Sequence, residues 1–130
     1  MEDCPLCFFS RQDMALSNTH CLFMPNREQD VLIGSGIILP RKHRETVFDL
    51  TPEEWAGTYD LLLRVKRHLE RLFHPQGFNI GWNVGQTAGQ EIFHAHLHVI
   101  PRYSDEPLAG KGIRYWLKQE ENRRSFAARQ

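Results

Sequence analysis

The chain is predicted to be an α+β protein: an antiparallel sheet of about five strands with one long helix packed on it. Two observations predict this. A capped, amphipathic segment beginning at Thr51 runs for some 20 residues at helical spacing, and short apolar runs bounded by Gly and Pro lie on both sides of it. The last two of these runs are joined by a glycine-flanked loop rather than by a helix, which suits antiparallel pairing.

Taken in order, Cys21-Leu22-Phe23-Met24 is a buried-strand candidate, stopped by the polar stretch Pro25 to Asp30. Gly36-Ile37-Ile38-Leu39-Pro40 is a second, ended by its proline. Thr51-Pro52-Glu53-Glu54 reads as a capping box with proline at the first helical position. Trp55, Tyr59, Leu62, Val65, Leu69 and Leu72/Phe73 then form the expected apolar stripe. The interleaved Arg64, Lys66, Arg67, Glu70 and Arg71 read as its solvated face. Pro75 and Gly77 punctuate the helix end. Phe78 to Gly85 reads as a strand, Gly85 to Gln90 as a loop, and Ile92 to Ile100 as the final strand.

A length of 130 residues fits one domain, 1–130, and 25% charged residues is ordinary for a soluble protein. The formal net charge of zero gives no global field for nucleic acid polymers or acidic membranes, so a phosphate-bearing partner must be held by local groups. The longest apolar-leaning run, Val31 to Pro40, falls short of the ~20 residues a membrane span needs. A cytoplasmic protein is expected. Three cysteines argue against a disulfide framework; Cys4-x-x-Cys7 reads as metal-binding or redox, and Cys21 as a small buried hydrophobe.

Chemistry concentrates in His94-Ala95-His96-Leu97-His98. On a strand, residues two apart share a face, so three imidazoles would project together, with Phe93, Ala95, Leu97 and Val99 on the core side. Three rings on one face need ligands or hydrogen-bond partners, which an ordinary core does not offer. Metal ligation and nucleophilic catalysis could both use such a face. Metal-only catalysis is the weaker reading, since no histidine follows His98 to complete a cupin-like site and the chain is too short for an amidohydrolase barrel of ~250 residues.

The run Gly89-Gln90-Glu91-Ile92-Phe93-His94-Ala95-His96-Leu97-His98-Val99-Ile100-Pro101-Arg102-Tyr103 resembles the signature of the histidine-triad (HIT) family. The similarity continues through Ile37 to His43, Leu50 to Glu54 and Phe78 to Gly85, and covers most of residues 4–103. Its flavour is that of bacterial members resembling diadenosine polyphosphate hydrolases. The resemblance implies a HIT-like fold, including a short N-terminal helix, and a homodimer that uses the long helix and the strand Asn79–Gly85.

It further implies a nucleotide phosphohydrolase or nucleotidyl transferase that cleaves at the α-phosphorus of dinucleoside polyphosphates or nucleoside phosphoramidates. His96 would be the nucleophile, forming a nucleotidyl-histidine that water then hydrolyses. Gln90 and Asn83 would supply amide donors to phosphate, His98 a further donor, and His94 a supporting role. Asn26 would hold the ribose, with Glu28 and Asp30 as fallbacks. Some relatives bind zinc through a cysteine pair, the histidine of a Pro-x-x-His segment and the first triad histidine; here these are Cys4, Cys7, His43 and His94. Such a closed zinc site would be structural, and neither a catalytic metal nor an organic cofactor is expected.

One departure stands out. Many family members carry Ser or Thr after the Gly-Gln pair, and this chain has Glu91. A carboxylate facing the phosphates would repel substrate, so Glu91 is expected to point away or to stay protonated. It also motivates an alternative: a non-catalytic, zinc-stabilised nucleotide-binding module. Residues 104–130 read as a C-terminal extension, with Lys111 or Arg114 within Gly110 to Arg114 as candidate contacts to a distal phosphate and a polar tail as the plainer reading.

Overall fold

The computed structural model describes residues 3–7 and 16–125. Five strands form one antiparallel sheet: β1 (Leu16–Ser17), β2 (Cys21–Pro25), β3 (Gly36–Pro40), β4 (Gly77–Trp82) and β5 (Leu97–Arg102), in the order β1-β2-β3-β5-β4. The α+β expectation holds. The short N-terminal helix expected from the family falls in a stretch containing residues 8–15, which lie outside the described residues.

Helix α1 (Pro52–Phe73) starts where its capping signals place it. The Thr51 hydroxyl accepts from the Glu54 backbone N–H at 3.1 Å, and the Glu54 carboxylate accepts from the Thr51 N–H at 2.8 Å. The helix ends at His74, which adopts a left-handed conformation (φ 54°). Its buried apolar face is Leu61, Val65 and Leu69, packed on Cys21, Phe23, Ile38, Leu97 and Val99 of the sheet. Leu72, at the helix end, is more than half exposed, and so are two earlier members of the expected stripe, Trp55 and Tyr59. They lie one step round the helix from the Gly57, Thr58 and Leu61 face, and that narrower face is the one the sheet covers.

The strands nearest the sheet centre are buried on both faces. Cys21 and Phe23 meet α1, while Leu22 and Leu39 pack on the opposite face against Leu6 of the N-terminal segment. Cys21 is the buried hydrophobe expected, and burial pushes its thiol pKa up. On that second face, cross-strand pairing sets Ile37, His98 and Gly81 side by side. A short helix, α2 (Ile113–Leu117), forms in the C-terminal stretch that the sequence left as an extension.

Candidate active site

The final strand is shorter than expected. It begins at Leu97 rather than Ile92; residues 92–94 form a bend and 95–96 are irregular. The reason is tertiary: the Ala95 N–H donates to the Arg44 carbonyl at 2.7 Å, outside any ladder, and the His94 side chain joins a polar cluster with Cys4, Cys7 and His43. The three imidazoles therefore do not share one strand face. His94 is fully buried, whereas His96 and His98 meet edge-to-face with ring centroids 4.9 Å apart. Phe93, expected on the core side, is 41% exposed because the bend releases it.

His96 is held by its own chain. Its Nδ1 lies 2.8 Å from the His94 carbonyl oxygen. A carbonyl only accepts, so Nδ1 carries the proton and the neutral ring keeps its lone pair on Nε2. Burial, and then the neighbouring His96, lower the pKa of His98 and favour its neutral form.

His94 is held twice. Its Nε2 donates to the Pro40 carbonyl at 2.9 Å, which leaves the Nδ1 lone pair facing Cys4 Sγ and Cys7 Sγ, each 3.6 Å away. His43 Nδ1 is 3.2 Å from Cys7 Sγ, and the four donor atoms all lie within 4.8 Å of one another. Burial lowers the pKa of His94 despite the Pro40 bond, and burial together with Cys4 raises that of Cys7. This group could bind a metal ion, and it joins the four residues, distant in sequence, that the family resemblance selected.

Gln90 is placed differently from its expected role. It is 2% exposed; its Nε2 donates to the Glu45 carbonyl at 2.7 Å and the Ile92 carbonyl at 3.2 Å, and its Oε1 accepts from the Gly85 N–H at 2.9 Å. Both amide protons are thus spent on backbone, and the residue clamps the loop rather than facing a phosphate. That loop turns on Gly85 (φ 86°) and Gly89 (φ 95°), a region that disfavours other residues. Glu91 lines a cavity with Asp3, Cys4, His43 and Phe93, on the side of the Cys/His cluster. It is not among the residues that line the His98 cleft.

That cleft, of about 390 Å³, is lined by His98 and Asn83 together with Leu32, Ile100 and Ile113 among others. Asn26 is not part of this lining. Its amide donates to the Ser35 hydroxyl at 2.7 Å, so the structure places it as a turn-stabilising residue; Glu28 and Asp30 flank the same loop. The sequence reading missed the aliphatic walls, because Leu32 and Ile113 lie in segments with no periodicity to mark them.

The HIT domain family model matches residues 35–105, more than half of the chain. The chain belongs to the HIT family. HIT relatives similar in sequence include protein hit of Bacillus subtilis, 36% identical over 70 residues that cover 54% of this chain and 48% of that one. Another is the bis(5'-adenosyl)-triphosphatase of Dictyostelium discoideum, 28% identical over 116 residues covering 89% and 78%. A third is the asymmetrical bis(5'-nucleosyl)-tetraphosphatase of Schizosaccharomyces pombe, 33% identical over 72 residues covering 55% and 40%. The chain thus spans about half the length of several relatives it matches. A crystal structure of a HIT family protein from Bacillus anthracis superposes with a TM-score of 0.71 at 30% identity, over 80% of this chain and 76% of that one. These HIT neighbours carry the same fold as the sheet and helix described above.

Proposed function

We propose that this HIT protein is a nucleotide phosphohydrolase or nucleotidyl transferase acting at the α-phosphorus of dinucleoside polyphosphates or nucleoside phosphoramidates. The observation that carries the reading is the 2.8 Å bond from His96 Nδ1 to the His94 carbonyl, which presents Nε2 as a nucleophile. Two of the relatives are named as dinucleoside polyphosphate hydrolases, which supports this substrate class.

In the first step the Nε2 lone pair attacks phosphorus, a P–N bond forms, and the bond to the leaving group breaks with its electron pair. In the second, water attacks, the P–N bond breaks and the imidazole is regenerated. His98 and Asn83, at the cleft, are the groups to hold the non-bridging oxygens. Gln90 acts at one remove, by holding the Gly85 loop beside Asn83. Glu91 lines the cavity beside the Cys/His cluster and not the His98 cleft, which favours the catalytic reading over a non-catalytic binding module.

We assign the Cys4, Cys7, His43 and His94 group to structural zinc. Tetrahedral zinc, at ~2.3 Å from sulfur and ~2.0–2.1 Å from nitrogen, sets S···N edges of about 3.6 Å. The S···N separations of 3.2 and 3.6 Å lie close to that edge, and with all four donor atoms within 4.8 Å of one another small side-chain shifts would close the group on an ion. The ion would supply a clamp, tying the N-terminal segment to the residue whose carbonyl holds His96.

We further assign a homodimer. Trp55 and Trp82 stack at 6.5 Å beside exposed Phe48, and this apolar face continues over Tyr59 on the outer side of α1. Contiguous exposed apolar surface of this kind marks an interface. Among the described residues no helix is long and apolar enough to cross a membrane.

The test of the reaction is mass spectrometry of protein mixed briefly with diadenosine tetraphosphate and quenched at alkaline pH. An adenylyl adduct mapping to His96 is expected. Nucleotide binding with neither adduct nor product would refute the catalytic reading.

A further inference from the structure

The family match ends at residue 105, yet the wall of the cleft does not. Ile113, on α2, lies over the same sheet face as His98. A Cβ built on Gly81, the cross-strand partner of His98, would meet Ile113 Cδ1 at 3.6 Å. The missing side chain at Gly81 therefore keeps the surface beside His98 open, and Ile113 overhangs it. Leu32, from the loop before β3, lines the same cleft and also precedes the matched region.

The position of α2 is not left to a loose tail. The Arg102 guanidinium, at the end of β5, gathers the intervening chain. Its Nε donates to Glu106 Oε1 at 2.6 Å, its Nη2 to the Leu108 carbonyl at 2.8 Å, and its Nη1 to the Lys111 carbonyl at 2.7 Å and to the Asn79 side chain. The Tyr103 N–H donates to the same Glu106 oxygen at 3.0 Å. Residues 103–112 are thereby strapped to the strand that carries His98. The ammonium of Lys111, a candidate contact to a distal phosphate, lies 5.3 Å from the ring centroid of Tyr115 on α2.

We propose that the C-terminal segment is the specificity wall of the nucleotide site, with Ile113 as the residue that sets which planar base is accepted. The inference rests on the nucleotide reading above. The cleft contains no Asp, Glu, Lys or Arg among its lining residues, so its far end suits an uncharged ring rather than a second phosphate. Its volume lies in the ~300–1,000 Å³ range of small-molecule sites. Aliphatic walls at Leu32, Ile100 and Ile113, together with the polar His98 and Asn83, match a nucleotide's combination of apolar base and polar phosphate. The HIT core supplies the histidines, and the segments outside it select the base.

The experiment is calorimetric titration with adenosine 5'-monophosphate. Ile113→Ala should weaken binding roughly 10- to 100-fold, as loss of an apolar wall does, and Ile113→Trp should block it. Trp116→Ala, on the same helix but outside the cleft lining, should stay within about twofold of wild type. In the unaltered protein, the Ile113 δ1-methyl resonance should shift on adding the nucleotide, a readout that needs no variant to fold. Wild-type binding with an unmoved methyl and unchanged Ile113 variants would overturn the specificity wall and leave the nucleotide reading standing. Wild type that binds no nucleotide would overturn both.

Discussion

His94 and His96 are joined by a single backbone contact: the carbonyl of the first accepts the Nδ1 proton of the second at 2.8 Å. The ring of the same His94 belongs to the Cys4, Cys7 and His43 group. One residue thus serves two sites, by its side chain in the candidate metal cluster and by its main chain at the ring proposed as nucleophile.

Removing the nucleophile should separate binding from turnover. His96→Ala should lose activity by ~10⁴-fold or more while it still folds, because the Nδ1 bond to the His94 carbonyl presents the Nε2 lone pair of this ring for attack. Steady-state hydrolysis of diadenosine tetraphosphate, with circular dichroism as the folding control, measures this. Residual activity within tenfold of wild type would sink the role of His96.

The shared residue predicts that metal loss is felt at the nucleophile. Wild type should carry about one zinc per chain, and Cys4→Ala or Cys7→Ala should lose it, by elemental analysis. Stripping the metal should also shift the ring resonances of His96, because His94 then keeps only its Pro40 anchor. Zinc content unchanged in a Cys4→Ala, Cys7→Ala double variant would remove the assignment.

Glu54 predicts a pH-dependent stability. Burial pushes its pKa up, but the Thr51 backbone N–H and the Arg44 guanidinium at 2.9 Å outweigh that, and the net shift is downward. A depressed carboxylate stabilises the fold above its unfolded pKa of ~4.3, and that stability is lost as pH falls through the lower folded value. Glu54→Gln should therefore cost about 1–3 kcal/mol at pH 7 in urea unfolding. The gap should close in acid. A gap that persists unchanged at pH 3 would contradict the ion pair as its source.

The stacked indoles predict the assembly. Trp55→Glu places a charge on the face shared by Trp82 and Phe48, and should convert a dimer to a monomer in light scattering at micromolar concentration. A wild type that is already monomeric there would refute the dimer.

Clamping by Gln90 predicts an indirect effect. Gln90→Ala would leave the Gly85 N–H and the Glu45 and Ile92 carbonyls without their buried partner. The expected result is a destabilisation of about 1–3 kcal/mol, with Gln90→Glu failing to rescue because it lacks both N–H donors. A Gln90→Ala protein as stable as wild type but inactive would instead indicate direct contact with substrate.

By itself the sequence determined what is local or periodic. The capping box at Thr51 names its own helix start, because the cap and the third residue of the helix satisfy each other without help from afar. Apolar runs bounded by Gly and Pro placed β2 and β3 within a residue. The histidine spacing and the Cys-x-x-Cys pair marked the chemistry, since those residue types at those intervals have few other uses.

Tertiary structure decided what depends on distant chain. Alternation predicted His94, His96 and His98 on one strand face, but the Arg44 carbonyl and the Cys4/Cys7 thiols, 50 and about 90 positions away, bend the chain and turn His94 aside. Gln90 read as a phosphate donor until the Glu45 carbonyl claimed its amide. The Arg102 strap and the overhang of Ile113 left no periodic trace, because a five-residue helix held by one guanidinium takes its place from contacts rather than from pattern. A residue's type limits the bonds it can make, and the fold chooses among them by what it brings within reach.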